Sequence, residues 1–176
     1  MHSRIRKNIA LMGLLLAIAL ILSYVESLVG LDLLVPGVKL GLSNLSVLMT
    51  IVFIGIPEAF VICVLKVVLA GSMFGNMSMM IYGLCGSLLS FGVMAILVRI
   101  GGYHLPVISA TGGVFHNMGQ MLVALFVTKA LNTEFILFYI PVLIISGFIA
   151  GLITGIIANL ITPALKKAVN KGDSTS

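Results

Sequence analysis

Long apolar stretches almost without charge are the feature that most restricts how this chain can fold. Of its 176 residues, 60% are hydrophobic and only 9% are charged, with ten basic and five acidic side chains. A soluble domain carries roughly a quarter charged residues to cover its surface, and a disordered chain combines low hydrophobicity with high charge. Neither class fits these numbers. The chain is therefore predicted to be an integral membrane protein.

Six apolar runs are long enough, or nearly long enough, to cross a bilayer, because a spanning helix needs about 20 mainly apolar residues. The first run follows a basic segment, but it is longer than the apolar part of a signal peptide and is interpreted as a retained helix. We expect a single six-helix membrane domain, residues 1–169, followed by a short polar tail, residues 170–176. The runs comprise residues 8–29, 40–56, 57–74, 79–100, 107–128 and 135–165.

Basic residues predict the orientation of the bundle, because cytoplasmic segments carry an excess of lysine and arginine. With a cytoplasmic N-terminus, seven basic residues fall inside, whereas Lys39 and Lys129 fall outside. The predicted fold is therefore an all-α bundle of six transmembrane helices with both termini cytoplasmic. No basic stripe is interleaved with aromatic side chains, so nucleic-acid binding is excluded. The seven inner residues are Arg4, Arg6, Lys7, Arg99, Lys166, Lys167 and Lys171.

Small residues recur at the four-residue spacing that lets transmembrane helices approach closely. Gly147, Gly151 and Gly155 form such a ridge in the last run, and Gly13 and Ala17 form a shorter one in the first. Packing within the bundle is the ordinary explanation of these ridges. The alternative is a docking face for another membrane subunit, for which Gly13 and Ala17 are the best candidates.

One lysine, Lys66, lies within an apolar run, and a charge at the centre of a bilayer costs roughly 3 kcal/mol. It follows Glu58 by eight residues, which is about 12 Å of helix and close to the middle of the hydrocarbon core. Small neighbours on its side of the helix predict that Lys66 faces the bundle interior. Two explanations remain open. One is a structural contact, such as an ion pair with Glu26 or a bond to a backbone carbonyl, and the other is a role in binding a ligand.

A polar segment, GGVFHNMGQ (residues 112–120), interrupts the fifth run. On a helix, His116, Asn117 and Gln120 lie on one side with small residues beside them. Hydrogen bonding between helices would explain such residues, at about 0.6 kcal/mol per pair. Three strongly polar groups beside glycines within nine residues exceed that need. We therefore favour a ligand pocket.

The connection between the first and second runs, GLDLLVPGVKLG (residues 30–41), is unusually apolar for a loop, yet Pro36 and Gly37 prevent a continuous helix. It could fold over the outer mouth of the bundle as a lid and bring Lys39 and Asn44 to a ligand. A segment lying among lipid headgroups explains it equally well. The candidate ligand-binding residues are thus Lys39, Asn44, Lys66, His116, Asn117 and Gln120.

Missing motifs argue against an enzyme. No Walker motif is present, so the chain is not predicted to hydrolyse nucleotides itself. Asp32 and Asp173 are the only aspartates and lie in unrelated segments, whereas magnesium-dependent diphosphate chemistry needs clustered carboxylates. Cys63 and Cys85 lack metal-binding spacing and are interpreted as packing residues. No catalytic residue, metal site or cofactor is predicted.

The segments PGVKLGLSNL (residues 36–45) and GGVFHNMGQ (residues 112–120) resemble those of a bacterial family called heptaprenyl diphosphate synthase component I, also known as the Gx transporter family. That family is similar in turn to the S components of energy-coupling factor transporters. The resemblance implies a multi-pass protein of the bacterial cytoplasmic membrane that binds a small solute near the outer face. It also implies partners, namely a transmembrane coupling subunit contacted through small residues of the first helix, and two cytoplasmic ATPases.

The predicted function is an S-component-like, solute-binding subunit of an uptake transporter. Its lysines would neutralise an anionic solute, and the polar cluster would supply directional hydrogen bonds. The alternative is a noncatalytic membrane accessory subunit in heptaprenyl diphosphate or quinone synthesis, or a scaffold for a membrane redox complex. The enzyme name of the family conflicts with the residues, because an aspartate-rich site is missing.

Overall fold

The computed structural model describes the backbone of residues 2–29, 41–128 and 133–173. Within these ranges every regular element is a helix, which confirms the predicted all-α class. The described ranges form six helices: α1 (His2–Val29), α2 (Asn44–Phe53), α3 (Ile56–Phe74), α4 (Met77–Ile100), α5 (Leu105–Thr128) and α6 (Thr133–Asp173).

Four of these helices contain apolar stretches long enough to cross a membrane, which indicates a multi-pass membrane protein. Helix α5 has 24 residues, but its polar segment lowers its mean hydropathy. Helix α2 has only 10 residues, which is about 15 Å and half the thickness of the hydrocarbon core. The four stretches are Ile9–Leu28, Ile56–Phe74, Met77–Ile100 and Phe138–Lys167.

Proline and glycine mark several helix ends, as the sequence predicts. Pro57 lies in the first turn of α3, where its missing N–H has no helical partner to lose, and Glu58 follows it. Gly101 ends α4 in the left-handed region, at a φ of 78°. Helix α2 is shorter than the predicted run of residues 40–56, because a turn containing Gly41, at a φ of 66°, precedes Asn44.

The short helix α2 lies at the centre of the bundle and contacts each of the other five helices. Most of its apolar side chains are fully buried, the others are partly buried, and together they form the middle of the main hydrophobic cluster. A helix that is apolar on all sides must be surrounded in this way. The cluster includes Val47, Leu48, Met49 and Ile51 from α2, together with Leu15 of α1, Ile62 of α3 and Met94 of α4.

Helices α5 and α6 pack backbone to backbone along a seam of glycines. A methyl group at Gly147 would lie 2.7 Å from the carbonyl oxygen of Gly113, and one at Gly151 would lie 2.8 Å from the Cα of Ala110. A hydrogen bond of 3.0 Å joins the hydroxyl oxygens of Ser109 and Thr154 across the same seam. The ridge of small residues in α6 therefore serves packing within the bundle.

Helix α1 is attached more loosely, since it packs mainly against α2 and α3. Both Gly13 and Ala17 are exposed, and a methyl group at Gly13 would meet no other atom within 4 Å. At the other end of the chain, α6 continues through Asp173. The helix thus includes residues 170–173, which we expected to belong to a short polar tail.

Candidate functional site

Lys66 lies in the interior of the bundle, as its small helical neighbours predict, with 1% of its surface exposed. It occupies the middle of α3, and its side chain reaches the first residues of α2. The Nζ atom donates hydrogen bonds to Oδ1 of Asn44, at 2.5 Å, and to Oγ of Ser43, at 3.3 Å. Helix α2 has only about half the length of a spanning helix, so its first turn lies beside the middle of α3. There it contacts the buried ammonium of Lys66.

Glu26, the carboxylate that we considered as a partner of Lys66, contacts the same turn from α1. Its Oε1 atom accepts a hydrogen bond of 2.8 Å from the backbone N–H of Leu42. Leu42 and Ser43 are consecutive, so two charged side chains from two different helices contact the start of α2. Glu26 does so from α1, and Lys66 does so from α3.

The side-chain amide of Asn44 has one paired and one unpaired end. Its Oδ1 atom faces Lys66, and this assignment is firm because an ammonium group can only donate. Its Nδ2 atom has no hydrogen-bond partner within the described ranges, although only 7% of the residue is exposed. A side chain at Gly41 would begin 3.5 Å from this Nδ2 atom. Asn44 therefore presents a buried donor beside a buried cation.

The polar residues of α5 form a second buried cluster. Asn117 donates from Nδ2 to the carbonyl oxygen of Leu143, at 3.0 Å, and to Oγ of Ser146, at 3.2 Å, both on α6. The amide of Gln120 is hydrogen-bonded to Nε2 of His116, at 3.1 Å. Asn117 thus belongs in part to the α5–α6 seam. In the described part of the chain, Oδ1 of Asn117 and Oε1 of Gln120 have no partner.

Two glycines, Gly86 of α4 and Gly119 of α5, allow these helices to approach closely beside the polar cluster of α5. A methyl group at Gly86 would lie 2.7 Å from the carbonyl oxygen of His116 and 2.9 Å from Cγ of Gln120. One at Gly119 would lie 2.8 Å from Cα of Gly86. The backbones of α4 and α5 are therefore in close contact beside His116 and Gln120.

An adjacent face of the same part of α4 packs against α3 around Lys66. Cys63 Sγ donates to the carbonyl oxygen of Ser87, at 3.3 Å, and a methyl group at Gly83 would lie 3.0 Å from Cγ1 of Val67. Lys66 lies between Cys63 and Val67 in sequence. The structure thus brings the Lys66 cluster and the α5 cluster to the same height along α4.

Two of the predicted features remain without a structural description. Lys39 and the connection of residues 30–40, which we expected to act as a lid, lie outside the described ranges. Gly13 and Ala17 are described, but they lie on the exposed side of α1, away from the polar clusters.

Sequence reasoning missed Ser43 as a contributor to the site and did not foresee the contact that Glu26 makes. Ser43 accepts from Lys66, and Glu26 binds the turn that precedes α2 rather than Lys66 itself. The signal for Ser43 was its place directly before Asn44, since serine is common at the start of a helix. Within the described ranges, no group of three His, Cys, Asp or Glu side chains is arranged to hold a metal ion.

Comparison with known protein families yields a match. The family described as heptaprenyl diphosphate synthase component I matches residues 15–161, which is most of the chain. No curated protein and no solved structure shows significant similarity. The match spans α2 to α5 completely and includes Asn44, Lys66 and the α5 cluster. The chain therefore belongs to the heptaprenyl diphosphate synthase component I family.

Proposed function

We propose that the chain is the solute-binding membrane subunit of a small-solute uptake transporter, similar to an S component and without ATPase activity of its own. The observation that carries this proposal is the buried Lys66 ammonium at the start of α2, next to the unpaired Nδ2 donor of Asn44. Ionisable groups inside a membrane are costly and generally line substrate or ion pathways. Transporters commonly bind their substrates where a helix begins inside the membrane.

Unpaired polar atoms on α5 support the same proposal. Proteins leave few buried polar atoms without a partner, because each costs about 1–3 kcal/mol. Here Asn44, Asn117 and Gln120 each bury one such atom. A bound solute would offer partners to these atoms. His116 completes the proposed ligand set on α5, and Lys39 completes it on the connection that we propose covers the outer mouth.

The proposed topology has six spans and two cytoplasmic termini. In that orientation, α2 descends from mid-membrane to the inner side, and its polar start opens towards the outside. Lys66 then lies about halfway across the bilayer, where a solute entering from outside would reach it. The bacterial cytoplasmic membrane is the proposed location.

The exposed side of α1 supports a proposed partner. Gly13 and Ala17 leave a shallow surface there, where another helix could approach closely. We propose that a transmembrane coupling subunit docks on this side and connects the protein to two cytoplasmic ATPases. The chain itself carries no Walker motif, so ATP hydrolysis would have to come from such partners.

A second candidate function is a noncatalytic accessory subunit in heptaprenyl diphosphate or quinone synthesis, or in a membrane redox complex. The name of the family favours it. So does an apolar cavity of about 70 Å³ between α1, α2 and α6, which could hold part of a prenyl chain. Leu14 and Ile18 of α1, Met49 of α2 and Ile161 of α6 are among its lining residues.

Native mass spectrometry of the protein, purified in lipid nanodiscs from its expression host, tests the first proposal. We expect a small solute to co-purify with the wild-type chain and to be lost in Lys66→Met. Lys167→Met makes the same chemical change at an exposed position of α6 and should keep the solute. Absence of any solute, together with co-purification of a prenyl diphosphate synthase subunit, would support the accessory role instead.

A further inference from the structure

We infer that the apolar cavity between α1, α2 and α6 holds a segment of one hydrocarbon chain of an anionic phospholipid, and that the phosphate of this lipid lies at Arg4 and Lys7. Such a lipid site lies outside the polar clusters described above and depends on neither of the two proposed functions. Its geometry, its size and the charge at one of its ends each favour this occupant.

The cavity lies in a gap between two helices. Helix α1 packs mainly against α2 and α3, and α6 packs mainly against α5 and also against α2. In the described ranges, α1 and α6 make at most a marginal contact with each other. Helix α2 therefore forms the floor of a gap whose walls are α1 and α6. Leu14 and Ile161, one on each wall, are 55% and 36% exposed, so the gap is accessible from the lipid.

The size and chemistry of the cavity fit a narrow chain. Its walls are apolar, and on the floor Leu45, Met49 and Phe53 follow one another at intervals of four residues. They form one ridge of α2 that is about 12 Å long. The volume of about 70 Å³ is roughly half of a ~150 Å³ cavity that holds a benzene ring. A hydrocarbon chain lying along the ridge fits this space, whereas a ring needs about twice the volume.

Basic residues continue the α1 wall beyond the cavity. Arg4 and Lys7 precede Leu11, a lining residue, by seven and four residues. Positions at these intervals share one face of a helix, and Lys7 lies about 6 Å beyond Leu11 along the axis. Arg6 precedes Leu11 by five residues and lies about 140° away around the helix. The start of α1 thus places two basic residues on the face that lines the cavity.

The α6 wall leads to positive charge as well. Lys166 and Lys167 directly follow Leu165, which lines the cavity, and both lysines are exposed. Neither lysine has a hydrogen bond or an ion pair in the described part of the chain. Apolar surfaces gain little from each other inside a bilayer, so the headgroup must supply most of the selectivity. Each lysine or arginine near a membrane surface strengthens the binding of an anionic lipid about fivefold.

The lipid site and the proposed docking surface lie on different sides of α1. Gly13 and Ala17 follow Leu11 by two and six residues, which places both of them more than 100° away around the helix. A phospholipid in the cavity therefore leaves that surface open to another membrane subunit.

The first test measures lipid binding to the purified full-length chain by native mass spectrometry in detergent. The probes are dioleoylphosphatidylglycerol and dioleoylphosphatidylcholine, which have the same chains and differ in headgroup charge. We expect the phosphatidylglycerol to bind at least about tenfold more tightly, because two basic residues face its phosphate. Arg4→Gln should weaken this binding about fivefold, whereas Arg6→Gln, the matched control on another side of α1, should change it little.

The second test locates the chain. Phosphatidylglycerol with a photoreactive diazirine group in one acyl chain is cross-linked to the protein in nanodiscs, and the labelled residues are identified by mass spectrometry. We expect label at Met49. Leu14→Trp fills the cavity from its exposed wall, so the label at Met49 should fall at least about fivefold. Leu122→Trp makes the same exchange at a similarly exposed position of α5 and should leave the label unchanged.

Several results would overturn the inference. They are equal binding of the two lipids, equal effects of Arg4→Gln and Arg6→Gln, no label at Met49 in the wild type, or unchanged label in Leu14→Trp. The wild-type label decides the matter even if Leu14→Trp does not fold.

A competitor separates the two sources of a chain with an anionic headgroup. Geranylgeranyl diphosphate should displace the photoreactive phospholipid only at higher concentration than unlabelled phosphatidylglycerol does. Displacement at an equal or lower concentration would overturn the phospholipid assignment and support the second candidate function, in which the cavity holds a prenyl chain.

Discussion

Replacing Gly113 by alanine should force α5 and α6 apart and destabilise the protein strongly. The new methyl group would overlap the carbonyl oxygen of Gly147 and lie 3.1 Å from Cα of Gly151. Both neighbours are backbone atoms, so no side chain can rotate to make room. The two helices must therefore move apart, which also breaks the hydrogen bonds of Asn117 to α6.

The magnitude follows from two contributions. Overpacking a well-packed interior typically costs 1–3 kcal/mol, and a backbone obstacle places this site in the upper half of that range. Among the described residues, three side-chain hydrogen bonds cross the seam, two from Asn117 to α6 and one between Ser109 and Thr154. At about 0.6 kcal/mol each in a membrane, their loss adds about 2 kcal/mol. The expected loss in the free energy of unfolding is therefore about 4 kcal/mol.

The assay is equilibrium unfolding in mixed micelles of increasing SDS fraction. Gly92→Ala is the control, because it makes the same exchange in α4 where a methyl group meets no other atom within 4 Å. We expect this control to lie within about 1 kcal/mol of the wild type, the size of the glycine-to-alanine helix propensity difference. If Gly113→Ala and Gly92→Ala unfold at the same SDS fraction, the close approach of α5 and α6 described above is wrong.

Three further predictions concern the site and the topology. Lys66→Met removes a costly buried charge and also the hydrogen bonds of Lys66 to α2, and these effects on stability oppose each other. The melting temperature should therefore change little while solute uptake is lost. Uptake at the wild-type rate would show that Lys66 does not belong to the site. Asn117→Ala should lower the free energy of unfolding by about 1–2 kcal/mol and should also weaken solute binding. Gln120 is hydrogen-bonded only within its own helix among the described residues, so Gln120→Ala should mainly weaken solute binding, and equal melting temperatures for the two variants would contradict this difference. In intact cells, and in a background without native cysteines, cysteines at Gly102 and Lys171 should not react with an impermeant thiol reagent, and labelling at Lys171 from outside would reverse the proposed orientation.

Local signals in the sequence predicted the bounds of α3 and α4 well. Pro57 and the glycine pair after Ile100 act on the backbone at their own positions, so α3 and α4 end within two residues of the predicted boundaries. The apolar run of residues 40–56 predicted a helix of nearly spanning length, whereas α2 has only 10 residues. Gly41 and Gly55 bracket a helix of 10 residues, and hydrophobicity alone does not distinguish buried helix from buried turn.

The candidate site could be predicted only in part. Small neighbours correctly predicted that Lys66 faces the interior, because that inference depends on one helix alone. Its contact with Ser43 and Asn44 depends on where α2 begins relative to α3, which is a tertiary relation. For the same reason, the bond of Glu26 to Leu42 was not predicted, and the hydrogen bonding between helices that we considered for Asn117 could not be assigned to α6.

The half-length of α2 explains why expensive polar groups meet in the interior. A helix of about 15 Å cannot cross a core of about 30 Å, so its first turn must lie at depth, where backbone N–H groups and caps need partners. Lys66 and Glu26 supply contacts there. Replacing a complete buried ion pair by apolar residues of similar volume is often neutral or stabilising. A longer apolar α2 would likewise have needed neither charge. Fold stability therefore gives little reason to keep an ammonium at this depth, whereas capture of a negatively charged solute does, and this supports the proposed function.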